Sequence, residues 1–94
     1  MFAIVSTLDI PDGHKQMSWF CLIDKFKKKT KNGKTYWRFK IMDNMNNVGW
    51  LRLWGSFKEG KEPEKYTLCV GEIHHDAQWG MSSSCPKITQ LNIL

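Results

Sequence analysis

The chain has 94 residues, 41% hydrophobic and 13% aromatic, and carries a formal net charge of +5. That length makes one domain, and the hydrophobic content excludes intrinsic disorder. Three cysteines (Cys21, Cys69, Cys85) without paired spacing argue against a secreted disulfide scaffold and for a reducing, cytoplasmic setting.

The opening "MFAIVSTLDIPDGHK" has no basic region before its short apolar run, and no run in the chain is long enough to span a bilayer. Residues 1–16 read as a lead-in segment whose Ile10-Pro11-Asp12-Gly13 is a turn. Residues 17–94 read as the domain proper. "MSWFCLIDKFKKK" (17–29) is rich in aromatic and branched residues and predicts a long first strand. "TKNGKT" (30–35) holds Asn32-Gly33, a strong hairpin signal because both residues tolerate positive φ. "YWRFKIM" (36–42) is the returning strand, "DNMNNVG" (43–49) a polar turn and "WLRLW" (50–54) the third strand. "GSFKEGKEPEKY" (55–66) is a charged connection with room for a short helical turn, since Gly60 and Pro63 forbid a long helix. "TLCVGEIHH" (67–75) is the fourth strand, with a bend or bulge expected at Gly71. "DAQWGMSSSCP" (76–86) reads as a loop or an irregular strand extension and "KITQLNIL" (87–94) as the fifth strand. Five strands at short spacing with one longer connection, between the third and fourth, predict an all-β protein with a small closed or sandwiched sheet.

Charge is segregated along this pattern. Residues 25–52 hold nine basic side chains against Asp43 alone, a local charge of +8, while the remainder of the chain is net −3. Such segregation points to a polyanionic partner, or to a solvated lysine face that serves solubility.

Alternation decides which side chains face out, because neighbours along a strand point to opposite faces. Trp37, Phe39, Ile41, Leu51 and Leu53 form wholly apolar faces and belong inside. Burying Arg38, Lys40 or Arg52 unpaired would cost several kcal/mol each, on the order of 2–7. The outer face then carries Tyr36, Arg38, Lys40, Trp50, Arg52 and Trp54. Cations that neutralise phosphate and rings that stack on unpaired bases are what a single-stranded nucleic acid requires. The other arrangement has Trp50 and Trp54 packed under the 55–66 connection or closing the barrel end. Lys27, Lys28, Lys29, Lys31 and Lys34 on the first hairpin make an electrostatic rim.

"WFCLIDKFKKKTKNGKTYWRFKIMD", "VGWLRLWG" and "YTLCVGEI" together resemble the OB-fold nucleic-acid-binding domain of the bacterial DNA polymerase III alpha subunit. Ile23, the lysines of 27–31, Asn32-Gly33, Phe39, Ile41, Asp43 and Gly71 fall on the corresponding places. The likeness is best over 20–55, and OB domains of the anticodon-binding type share much of it. The resemblance implies an OB-fold, a five-stranded Greek-key barrel, and binding of single-stranded DNA in replication, in company with other replication proteins. A 94-residue chain leaves no room for a polymerase domain, which implies an excised domain or a small stand-alone relative.

Catalytic chemistry finds little support. His74 and His75 are adjacent and face opposite ways on a strand, and no CxxC or His-x-x-His spacing is present. Cys85 with His74 lacks an orienting third group, and there is no phosphate-cradling glycine loop. The expectation is a non-enzyme without metal, cofactor, small-molecule substrate or membrane, which binds single-stranded DNA, with RNA the alternative nucleic acid. A contrasting expectation is a protein-interaction module whose groove grips a peptide or a sister subunit.

Overall fold

The computed structural model describes residues 4–91. Among them the strands are β1 (Val5–Ser6), β2 (Lys15–Lys29), β3 (Thr35–Met42), β4 (Val48–Trp54), β5 (Thr67–Asp76), β6 (Gly80–Ser84) and β7 (Ile88–Gln90), with single 3-10 turns at Thr7–Asp9 and Cys85–Lys87. The sheet order is β1-β2-β3-β4-β6-β5-β7, and β2 also pairs with β5. Strands β2, β3, β4, β6 and β5 therefore close into a barrel. Strands β4 and β6 run parallel and the other barrel pairs antiparallel. This is an OB-like five-stranded barrel, and closure removes the edges of its members. Two short strands lie outside it: β1 runs parallel beside β2, and β7 antiparallel beside β5.

The first four strands fall where the alternation predicts them. The fifth does not. It is Gly80–Ser84, within the stretch expected to be a loop or an irregular extension of the fourth strand, and it fills the gap between β4 and β5. Residues 88–90 form β7 outside the barrel instead, and 92–94 lie beyond the described residues. "GMSSS" carries no hydrophobic alternation, so only the unsatisfied backbones on either side call for a strand there. The 55–66 connection contains turns and no helical turn.

The interior is built as alternation dictates. Phe39, Ile41, Leu51 and Leu53 are fully buried and Trp37 is 8% exposed; Phe20, Leu22, Cys69 and Ile73 complete the cluster. Phe57 of the 55–66 connection stacks on Phe39 at 6.0 Å between ring centres and packs against Trp37 at 5.9 Å. The connection thus plugs one end of the barrel. Burial pushes the thiols of Cys69 and Cys85 up to about 11, so both are inert packing groups at neutral pH.

Gly71 is neither bend nor bulge. It pairs with Ser18 on one side and Ile88 on the other, and a Cβ there would meet Ile88 Cδ1 at 2.4 Å and the Lys87 carbonyl oxygen at 2.7 Å. It is glycine because two chain segments press against it. The bulge lies elsewhere, in β2: Leu22 pairs with Ile41 and Asp24 with Lys40, so the register shifts across Ile23. Ser18, Phe20 and Leu22 point inward before it. After it the inward positions are Lys25 and Lys27, opposite Phe39 and Trp37. One extra residue turns the strand's faces over.

Candidate nucleic-acid interface

The outer surface of β3 and β4 is set by three cross-strand pairs: Tyr36 with Trp54, Arg38 with Arg52, and Lys40 with Trp50. All six side chains predicted for this face lie on it. Trp50 is 40% exposed and Trp54 partly so. Neither ring is sealed in the core, contrary to the alternative packing beneath the connection. The rings and cations touch one another. The Arg38 guanidinium lies 4.2 Å from the Trp50 ring centre, and Lys34 Nζ lies 4.5 Å from that of Trp54. Arg52 sits 5.7 Å from Tyr36 and 5.9 Å from Trp54, and those two rings are 5.2 Å apart. Contacts of this kind contribute about 0.5–1 kcal/mol each at exposed sites.

A third strand joins this face through the Ile23 bulge. Strict alternation from Phe20 and Leu22 would send Phe26 inward. The register shift places it opposite Arg38, exposed, with its ring 6.1 Å from Trp50. Sequence reasoning missed Phe26, because a bulge leaves no mark in the residue pattern of β2.

The first hairpin extends past the barrel as a basic arm. Its turn is Thr30–Lys34, in which the Gly33 N–H donates to the Thr30 carbonyl at 2.9 Å and the Thr30 N–H to the Lys34 carbonyl at 2.9 Å. Gly33 alone takes a positive φ, +81°, so the Asn-Gly pair forms a three-residue loop of the glycine-bulge kind and not a two-residue turn. Lys28 stands opposite Tyr36, on the ring-bearing face. Lys27 and Lys29 alternate to the other side of the arm, where Lys27 Nζ lies 6.0 Å from the Trp37 ring centre. Lys31 is at the tip. The predicted rim is therefore two-sided, and only Lys28 and Lys34 join the rings directly.

The second hairpin, between β5 and β6, supplies what the sequence left unplaced. Asp76 Oδ1 accepts the backbone N–H groups of Gln78 and Trp79, each at 2.8 Å. These two bonds, Trp79's first, hold the Asp76 carboxyl below its ordinary value. Gly80 follows with φ +83°. The fixed turn raises Trp79 into solvent, 72% exposed, beside the face. Arg38, Trp50, Arg52, Trp79, Gly80 and Met81 border a pocket of about 160 Å³. Trp79 was legible only as a large ring in a polar turn, which a small protein has little reason to expose.

Asp24, opposite Lys40, brings a carboxylate to the edge of this surface. Glu72 pairs with Lys15 and Lys87, Glu62 with Lys25, and Asp24 with Lys65. Among the described residues neither Arg38 nor Arg52 makes an ion pair. His74 is exposed opposite Ser82. His75 turns the other way, with Nδ1 2.6 Å from the Ile10 carbonyl oxygen and Nε2 3.3 Å from Asp12 Oδ1, which ties the N-terminal turn to β5. Among the described residues no group of three or more His, Cys, Asp or Glu is placed to hold a metal ion, and no helix is long and apolar enough to cross a membrane. A larger cavity of about 420 Å³ lies between the 55–66 connection and the Cys85–Gln90 segment. Lys61 and Glu62 both line it, so its charge is mixed, and it shares no residue with the ring-bearing face.

Compared with known proteins, the chain matches no family model, no curated protein and no solved structure.

Proposed function

We propose that this protein is a non-catalytic module that binds single-stranded DNA across the outer face of β2, β3 and β4, between the two hairpins. The observation that carries the reading is the shared exposed surface of Tyr36, Arg38, Lys40, Trp50, Arg52 and Trp54, with rings in contact with cations and no acid among them. In OB-type barrels the second and third barrel strands and the loops beside them bind oligonucleotides, and these are the elements enriched here. Phosphates would be met by Arg38, Arg52, Lys28, Lys34 and Lys40, with release of condensed counterions. Bases would stack on Trp50, Trp54, Tyr36 and Phe26, for about 1–3 kcal/mol per base. Duplex DNA hides its base faces, so the rings gain nothing from it. Replication, where transient single strands arise, is the setting that the polymerase III alpha resemblance implies.

The test is anisotropy of a labelled dT15 oligonucleotide titrated with protein at several salt concentrations, beside the matched duplex. About four phosphate contacts give a log–log salt slope near −3 for the single strand, with weaker duplex binding. Absence of binding at low salt, or a flat salt response, overturns the reading.

A further inference from the structure

We infer that the pocket between Trp79 and the β3–β4 face is a subsite for one unstacked guanine. The inference rests on the proposed binding of single strands and adds a base preference to it. The pocket's volume, about 160 Å³, equals roughly five waters at about 30 Å³ each. It lies below the roughly 300–1,000 Å³ of a drug-sized ligand site. One flat ring system suits it; a nucleotide with its neighbours does not.

Two of its lining side chains are indoles, Trp50 from the barrel and Trp79 from the tip of the β5–β6 hairpin, which places an aromatic ring on each side of a base held between barrel and hairpin. The pocket's polar side-chain groups are all donors. Arg38, Arg52 and the indole N–H groups donate and do not accept, and Leu51, Gly80 and Met81 bring no acceptor side chain beyond a weak thioether. Side chains that only donate favour a base edge that only accepts. On its major-groove edge adenine sets an amino donor beside N7, and cytosine offers an amino donor there. Guanine alone presents two adjacent acceptors, O6 and N7, on that edge. Arginine reads that edge with two N–H donors.

Two further features fit this use. Arg38 and Arg52 stand directly opposite each other and neither makes an ion pair among the described residues; the Arg52 guanidinium turns toward Tyr36 and Trp54 and that of Arg38 toward Trp50, so Arg38 is the fork beside the Trp50 wall of the pocket. The Arg38 guanidinium is held beside the pocket by its 4.2 Å contact with the Trp50 ring, which reduces the entropy lost on binding.

The experiment compares dT15 with the same strand carrying one central dG, dA, dI or 7-deaza-dG, for the full chain and for Trp79→Ala. Trp79 is exposed and its turn is held through its backbone, so the variant keeps the fold, which circular dichroism checks. The expected result is about fivefold or greater tightening with dG and with dI, which keeps O6 and N7, and none with dA or 7-deaza-dG. In Trp79→Ala the dG-to-dT affinity ratio falls to near one. Equal gains from dA and dG, a gain that survives loss of N7, or a ratio untouched by Trp79→Ala overturns the subsite while single-strand binding stands. Failure of dT15 itself to bind at low salt removes the underlying function and the subsite with it.

Discussion

Arg38 and Arg52 face each other in register on adjacent strands, two like charges on the outside of a barrel whose carboxylates are engaged elsewhere. Directly opposed like charges weaken a sheet by roughly 0.2–1 kcal/mol. A fold retains such a pair at a cost that an anion between them would remove.

Arg52→Gln should therefore separate stability from binding. The variant is expected to melt at the same temperature as the parent or slightly above it. Its affinity for dT15 should fall about fivefold or more, and its salt slope should become less negative by about 0.7, one phosphate contact on a single strand. Thermal denaturation and anisotropy titrations at three salt concentrations check both halves. A lower melting temperature with unchanged affinity would make Arg52 a structural residue.

The tryptophans should divide by face. Trp50→Ala removes a ring from the surface, with a loss of about 1–3 kcal/mol in binding and little in stability. Trp37→Ala opens the interior where Phe39 and Phe57 meet and should cost about 3–5 kcal/mol of stability. Urea unfolding of the two variants, beside oligonucleotide quenching of tryptophan emission, reads the contrast. Large destabilisation by Trp50→Ala would contradict the face assignment.

Gly71→Ala tests the closeness of β7 and the Cys85–Lys87 turn to β5. The new methyl would press on Ile88 Cδ1, which can rotate away, and on the Lys87 carbonyl, which cannot. A loss of about 1–3 kcal/mol in urea unfolding is expected. Ile88→Ala in the same background should relieve part of it. A double variant no better than Gly71→Ala assigns the strain to the backbone contact alone.

Acid should loosen the Trp79 turn. The Asp76 carboxyl titrates below its ordinary 3.8 in the folded chain because it accepts the Trp79 and Gln78 N–H groups. A depressed carboxyl value stabilises the fold above the unfolded value, near 3.9, and that contribution disappears as pH falls through the folded value. The amide resonances of Gln78 and Trp79 should hold their positions from neutral pH to about 4 and move together below it. Asp76→Ala should abolish the movement and shift both amides at neutral pH. A midpoint above 3.8 would contradict the assignment.

The all-β class, the first four barrel strands and the inward set of β3 and β4 were readable because apolar and charged residues alternate there without interruption. The elements that escaped did so for physical reasons. Strand β6 has no apolar alternation, and the open backbones of β4 and β5 fix its conformation, which only the assembled barrel supplies. Phe26 was hidden by the Ile23 bulge, since the residues on either side look the same whether or not the register slips. Trp79 lay in a stretch whose turn depends on one Asp oxygen accepting two N–H groups. The ring-bearing face was legible from β3 and β4; its third strand and its second hairpin were not.

The register slip at Ile23 divides β2 into halves under unrelated constraints. From Ser18 to Leu22 every second residue is committed to packing, while from Phe26 to Lys29 the exposed positions answer to solvent. Substitutions can accumulate at the exposed positions of the distal half without disturbing what keeps the molecule folded, and under the proposed function they would retune affinity. A one-residue deletion at the hinge would forfeit that independence, swinging Phe26 toward the interior and leaving every later change to be tested against the barrel itself.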